Sequence, residues 1–526
     1  MGSWANAPIW YAAVLGGLLS LLLTLRFARI IATIMYFRFR PRVLAHLVYS
    51  ESPPPFRSVS RLAAIFGVIY VAANAVPLAV GTISLEEAGS RAGLVALANV
   101  IFLTLGPLSL VAGCFGWSLA RQRHLHACVG LVVFLEVLIH AVIAISSEGF
   151  HLSRSNSLGV AGGAAVAASC LSGILLVQGR LYELAFAFHS LLWKVLVAGL
   201  WIHITSATIT AKVLRIVATA FPLITLSWTW LRIAWRNFSW TRGRTTASVR
   251  LAGDALQIRI TSPRPWKVAA GQYVYLTVPR ASALSIFQRH PFTISWWRRL
   301  GDSLEVTLLI QPRDGFTKVL EQLIDSDVSA WIDGPYGSGH NLDNFGTVVL
   351  FSTGIGIWSH LLYVSELVRG YRQGLVKATS IRLHWRVDRD GQQRDAKLIM
   401  DKLLEEDRIE RRLAICIYVP DRQQHLPRSR GQAGMTQGRR ILTKFEEPVI
   451  GAIVEEVLPE DGRKVVISVS AYNRYGTAFR RALAKSPPRD VSLIWEEFQP
   501  PGGGPGRGRS ELIRRDHMSF QCRGDP

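Results

Sequence analysis

Apolar positions keep two rhythms along this chain. Over the first 235 residues they run in long blocks, at about 8–25, 61–83, 94–118, 126–145, 158–178, 184–205 and 213–235. Each block approaches the roughly 20 residues that cross a hydrocarbon core, so the pattern predicts about seven membrane-spanning helices. After Trp235 the runs become short and alternate with polar residues, at 255–260, 273–278 and 304–310. Pro263, Pro265, Gly271 and Pro279 punctuate them, which predicts a small antiparallel β-barrel. From 347 onward strand patterns at 347–351, 380–385, 413–419, 464–469 and 491–495 interleave with helical ones, as in a parallel α/β sheet. The predicted organisation is an N-terminal span and loop (1–60), a helical membrane bundle (61–235), a barrel (236–343) and an α/β domain (344–499). Residues 421–440 read as an inserted disordered loop, and the glycine-rich stretch 500–526 as a disordered tail.

Charge fixes the orientation of the bundle. Loops 26–61, 119–125 and 179–183 carry ten arginines, and the alternate loops 84–93, 146–157 and 206–212 hold only Arg91, Arg154 and Lys212. The positive-inside rule then places the first set, and the C-terminal half, in the cytoplasm. The first span lacks a basic stretch before it and is followed by Arg26 and Arg29, which predicts a retained span with its N-terminus outside. The net charge of +22 is assigned to this basic border and anionic membrane lipid, with no nucleic-acid partner. Cys114, Cys128, Cys170, Cys416 and Cys522 have neither disulfide-scaffold nor iron–sulfur spacing.

Four histidines change the picture. His126 and His140 lie in one predicted span, His189 and His203 in another, each couple with thirteen residues between its members. On a helix such a couple shares one face, about 21 Å apart along the axis. A lone His in an apolar helix is more often a hydrogen-bonded bundle residue. Two equally spaced couples instead supply a facing pair near each membrane surface, as bis-imidazole ligation of two stacked haems requires. Two further charges are predicted inside the bilayer. Glu136, four residues before His140, and Lys194, five after His189, would pair with each other; alternatively Lys194 would meet a haem propionate and Glu136 would tune the outer haem.

In the α/β half, Gly354, Ile355 and Gly356 follow an apolar strand and precede a helical run. Such a turn lets backbone approach a pyrophosphate at a helix N-terminus.

Taken in order, these features resemble the ferric reductase and NADPH oxidase superfamily, most closely the fungal-type membrane ferric reductases, over roughly 95–498. The resemblance rests on both His couples, on His290–Ile294, Asp314–Leu320, Asp333–Gly337, the Gly354/Gly356 turn and Glu496–Phe498. It implies that His290, Pro291, Phe292 and Thr293 cradle the isoalloxazine and nearby phosphate of FAD. Gly315 and Thr317 would contact the FAD pyrophosphate, and Gly354, Ile355 and Gly356 would form the nicotinamide-nucleotide turn. Phe498 would lie by the flavin where the nicotinamide enters. The family's cysteine element near the site of hydride transfer appears here as Ser470, Ala471 and Tyr472, a departure that bears on nucleotide affinity and turnover. NADPH is implied as the donor, with Arg386 and Arg389 as candidates for its 2′-phosphate.

The function so implied is a plasma-membrane flavocytochrome metalloreductase carrying electrons from cytosolic NADPH through FAD and two b-type haems to ferric or cupric chelates outside. An iron or copper uptake permease is the implied partner, and Glu148, His151 and Arg154 are candidates for an outer substrate site. Equal His spacing and Ala144 one turn beyond His140 favour a metalloreductase over a superoxide-producing NADPH oxidase. A third reading is a membrane haem subunit without efficient turnover and with a structural or regulatory role.

Overall fold

The computed structural model describes residues 61–105, 119–147, 151, 153–178, 182–204, 208–253, 255–281, 285, 289–312, 315–337, 339–388, 392–420, 440–457, 463–485 and 491–496. Among the described residues six helices come first: α1 (Arg61–Ala79), α2 (Leu85–Leu105), α3 (Leu119–Ser146), α4 (Arg154–Gln178), α5 (Tyr182–His203) and α6 (Ile209–Asn237). Four of these, within 122–146, 154–176, 184–203 and 209–237, are long and apolar enough to cross a membrane. Leu131, Leu135, Leu138 and Val142 of α3 remain exposed, as lipid-facing side chains would be. The expected span at 94–118 overlaps α2, which starts earlier, at Leu85, with Glu86 and Glu87 in its first turn; residues 106–118 lie outside the described residues. The expected span at 8–25 lies outside the described residues. The helices pack as two hairpins, α2 on α3 and α4 on α5, with α6 against α2.

The next strands are β1 (Phe238–Ser239), β2 (Gly243–Arg244), β3 (Thr246–Ala252), β4 (Ala255–Ser262), β5 (Tyr273–Thr277), β6 (His290–Thr293), β7 (Trp296–Leu300), β8 (Ser303–Ile310), β9 (Ser326–Ser329) and β10 (Trp331–Tyr336). A short helix, α7 (Phe316–Glu321), lies between β8 and β9. The alternation read from the sequence survives in β4, whose Leu256, Ile258 and Ile260 are fully buried. A closed barrel is not what the described residues form. They make two antiparallel sheets, in orders β7-β8-β4-β3-β9 and β10-β5-β6, with a separate β1-β2 pair.

The last unit holds β11 (Thr347–Thr353), α8 (Ile357–Arg372), β12 (Ser380–Arg386), α9 (Gln392–Glu406), β13 (Leu413–Tyr418), β14 (Ile441–Lys444), α10 (Ile450–Val457), β15 (Val465–Ser470), α11 (Asn473–Lys485) and β16 (Val491–Trp495). Its sheet is parallel throughout, ordered β14-β13-β12-β11-β15-β16. Helices cover both faces. Val348 and Leu350 face one core with Leu361 and Met400, while Val349 and Phe351 face another with Ile453 and Phe479. Strand order reverses on either side of β11, so its C-terminal end is the switch point where ligands of such sheets bind. The loop at 421–440 falls almost wholly outside the described residues, and the tail at 500–526 entirely so.

One buried histidine ties α8 to this sheet. His360 is fully buried between the hydroxyls of Ser352 on β11 (2.6 Å) and Ser468 on β15 (3.0 Å). Burial lowers its pKa to about 3, and burial also lowers that of His384 on β12 to about 4. Unfolded histidine protonates near pH 6.5, at about the value where these folded ones stay neutral. The unfolded state therefore binds more protons between about pH 6.5 and 4, and stability is lost as pH falls through that window. Hydrogen exchange at β11 and β15, corrected for intrinsic rates, should show protection falling over this range. His360→Gln should flatten the dependence and cost about 1–3 kcal/mol at neutral pH.

Candidate functional site

The two histidine couples meet in the bundle. His126 and His189 have ring centroids 6.0 Å apart, and His140 and His203 stand 6.1 Å apart. Two imidazoles flanking one metal, with bonds of about 2 Å each, need a centroid separation of about 6 Å. The neighbouring helices decide which nitrogen faces the gap. His126 Nδ1 donates to the Leu103 carbonyl (3.1 Å) and His140 Nδ1 to the Gly89 carbonyl (2.9 Å), both on α2. On α4, the Ser169 carbonyl takes His189 Nδ1 (3.2 Å) and the Ser155 carbonyl takes His203 Nδ1 (3.1 Å). A carbonyl only accepts, so every Nδ1 carries the proton and every Nε2 keeps its lone pair, the state an iron ligand needs. Small residues permit the approach: a Cβ at Gly159 would stand 2.6 Å from the His203 ring, and one at Gly93 3.0 Å from His140. On this geometry the residues fit two haems.

The charges inside the bundle are arranged differently from the expectation. Glu136 is buried, and both its carboxylate oxygens accept from the Asn99 amide at 3.0 Å. Asn99 also donates to Asn74 (2.7 Å) and accepts from the Tyr70 hydroxyl (2.8 Å). This chain joins α1, α2 and α3. Lys194 lies exposed on α5, and no ion pair joins it to Glu136 among the described residues. Asn74 and Asn99 within apolar stretches were the signal available in the sequence.

Below the bundle, the elements singled out for a flavin converge. The His290 ring stacks on Phe316 with centroids 4.0 Å apart and planes within 7°, and Phe292 lies 6.4 Å from the same ring. This brings β6, with Pro291 exposed and Thr293 opposite Tyr273, against the start of α7, where Gly315 caps Thr317's helix. The α/β unit is joined to this sheet pair through α8. Tyr363 Oη accepts from His340 N (3.0 Å), and Glu366 accepts from Ala270 N (2.8 Å). Glu496 lies 3.5 Å from His340. Burial raises the Glu366 carboxyl above the ordinary range.

At the switch point, Gly354, Ile355 and Gly356 form a single tight turn between β11 and α8. Gly354 has φ +50°, and Asp388 stands where its Cβ would be. Ser470 is fully buried against Gly356, with its Oγ unbonded and 2.9 Å from where a Gly356 Cβ would lie. The structure thus brings the glycine turn and Ser470 together. Arg386 is already engaged: it bonds both oxygens of Glu447 (2.9 and 2.8 Å) and also Asp388. Those bonds hold the Glu447 carboxyl below its usual range. Asp388 accepts in addition from Tyr472 Oη, so side chains from the segments just past β12 and β15 meet across the turn. The acid two residues past β12 was visible in the sequence; its contact with a glycine was not. Arg389, Glu148 and Phe498 lie outside the described residues. His151 is exposed and Arg154 opens α4, and no cluster gathers around them among the described residues.

Comparison with known proteins bears on this arrangement. Residues 241–340 match the model of an FAD-binding domain. Ferric reductase transmembrane component 3 of Saccharomyces cerevisiae is 25% identical over 303 residues, covering 53% of this chain and 40% of that protein. Ferric/cupric reductase transmembrane component 2 of the same yeast is 25% identical over 302 residues, with the same coverage. A probable cell surface ferric reductase of Aspergillus oryzae is 26% identical over 327 residues, covering 56% and 43%. The chain is similar to the fungal ferric reductases. It spans about two fifths of the length of these relatives. Among solved structures, a ferredoxin reductase in carbazole 1,9a-dioxygenase has a TM-score of 0.35 at 13% identity, covering 48% of this chain and 68% of that one, too distant to bear on function.

The glycine turn offers a direct test of backbone constraint. Gly354→Ala should lose about 1–2 kcal/mol to left-handed backbone alone, and more from displacing Asp388. Gly374→Ala, with φ +71° and open space around it, should lose only the backbone part. Unfolding of the two variants in denaturant measures the difference.

Proposed function

We propose that this chain is a transmembrane metalloreductase that moves electrons from NADPH in the cytosol to ferric or cupric chelates on the other side of a membrane, most consistently the plasma membrane. The observation that carries the proposal is the pair of histidine couples at 6.0 and 6.1 Å, all four with Nδ1 committed to backbone carbonyls. When bound, FAD would take hydride from the nucleotide and release single electrons, and two b-type haems would relay them across the bilayer.

The chain's own residues have distinct tasks in this reading. His126 and His189 hold the inner iron, His140 and His203 the outer one. His290, Pro291, Phe292, Thr293, Gly315 and Thr317 bind and orient the flavin. Gly354, Ile355 and Gly356 present backbone to the nucleotide phosphates, Ser470 lines the hydride-transfer side, and Phe498 covers the flavin. With Arg386 occupied by two carboxylates, recognition of a 2′-phosphate falls to other basic groups, Arg389 among them. The domains divide as 61–235 for the irons, 236–343 for FAD and 344–499 for the nucleotide, with the C-terminal half cytoplasmic. An iron or copper uptake permease is the partner this activity would serve.

The test is a difference spectrum of membranes containing the chain, recorded on adding NADPH with a ferrous-chelating dye and superoxide dismutase present. Reduced b-type bands with dye colour unaffected by the dismutase are expected. Colour abolished by the dismutase would make the chain an oxygen reductase, and haem reduced only by dithionite would make it a subunit without turnover. His189→Ala should remove one of two haem components and stop NADPH-driven reduction of the remainder. His203→Ala should leave the inner component reducible by NADPH and abolish dye reduction.

A further inference from the structure

A single carboxylate joins the last membrane helix to the flavin strand. Asp333 on β10 is 3% exposed, and it accepts from Arg232 of α6 at 2.5 Å and from Arg289 at 2.9 Å. Arg289 immediately precedes β6 and His290. The Tyr336 hydroxyl donates to Asp333 at 2.7 Å, and the Arg232 guanidinium lies 4.8 Å over the Tyr336 ring. Arg236 is the other charged group facing this carboxylate, and its own guanidinium lies over Trp266 at 4.6 Å.

Neighbouring contacts align α6 on β10 residue by residue. Asn237 closes the helix by accepting from Ile332 N (2.8 Å) and donating to Ile332 O (2.7 Å), as a paired strand would. Trp230 meets Trp331 edge to face at 6.5 Å. Residues 331, 332 and 333 are therefore each gripped by a different residue of α6. The same α6 packs on α2, whose Leu103 carbonyl orients His126. A continuous set of contacts runs from the candidate inner iron ligand, through α2 and α6, to Asp333, Arg289 and His290.

Resting on the function proposed above, we infer that Asp333 is a positioning residue, clamping the flavin strand to the membrane helix so that electrons pass from flavin to inner haem. It touches neither candidate cofactor ligand set directly. Its effect is on the distance and orientation between the two groups, on which electron transfer depends. A buried carboxylate suits this task because its two oxygens fix two guanidiniums at once, where an apolar contact would allow sliding.

The full chain in nanodiscs, loaded with FAD and haem, is mixed rapidly with NADPH, and flavin bleaching and haem reduction are followed separately. Arg232→Met should leave flavin bleaching at the wild-type rate and slow haem reduction severalfold. Arg232→Lys, which keeps the charge, should restore part of that loss. Asp333→Asn should slow haem reduction similarly. In nucleotide-free protein, hydrogen exchange at the Ile332 amide should speed up in Asp333→Asn while β11 and β15 stay unchanged. Haem reduction at the wild-type rate in both Arg232→Met and Asp333→Asn would overturn the inference, as would equal slowing of flavin and haem reduction in Arg232→Met. Should wild-type haem ignore NADPH altogether, the proposed function fails, and the clamp then stands or falls on the exchange at Ile332 alone.

Discussion

Everything in the membrane half is organised around the bond from imidazole Nδ1 to a backbone carbonyl. A histidine ring in an apolar bundle must satisfy its N–H, and each of the four does so on the helix preceding its own. That requirement pairs α2 with α3 and α4 with α5, because each donor needs a carbonyl close enough to reach. It also turns all four Nε2 atoms away from their backing helices, toward a partner ring. Ser172 reinforces one of these bonds, its hydroxyl lying 3.1 Å from His189 Nδ1 while donating to Ser169 O. The buried Glu136, Asn99, Asn74 and Tyr70 chain adds a second polar tie among α1, α2 and α3, and it leaves no role for a pairing with Lys194.

The two units that follow the bundle are held in a different way, with buried polar groups at the seams and apolar groups filling the layers. The two faces of the parallel sheet bury separate clusters, and His360 pins α8 through two serines without ever carrying charge near neutrality. At the seam between the two units, Tyr363 and Glu366 accept backbone N–H groups from the strand-rich side. At the seam with the bundle, Asp333 and Asn237 do the equivalent work. Each seam lies beside a candidate binding element, so the contacts that join the units also set where those elements stand.

The region around the glycine turn departs most from the expectation. Arg386 read from the sequence as a free cation for a phosphate, but Asp388 and Glu447 surround it. Asp388 is only two residues further along the chain, but Glu447 is 61 residues away and no local rule brings it to Arg386. Ser470 stands beside the turn because the parallel order of the sheet puts the ends of adjacent strands β11 and β15 together.

Local periodicity alone located most of the described membrane helices, half of the described strands and the shared faces of the histidine couples, because these depend on which face of an element each residue occupies. The glycine turn was legible from its short-range chemistry, whereas the flavin strand was singled out only by its resemblance to the ferric reductase family. Only the tertiary structure decided which carbonyl would orient each imidazole, that Glu136 would meet an asparagine and not a lysine, and that Asp333 would gather two arginines 44 and 101 positions away. Backbone carbonyls are the same at every residue, and contacts between distant elements leave no period in the chain. Such partners become visible only when packing has brought the elements side by side.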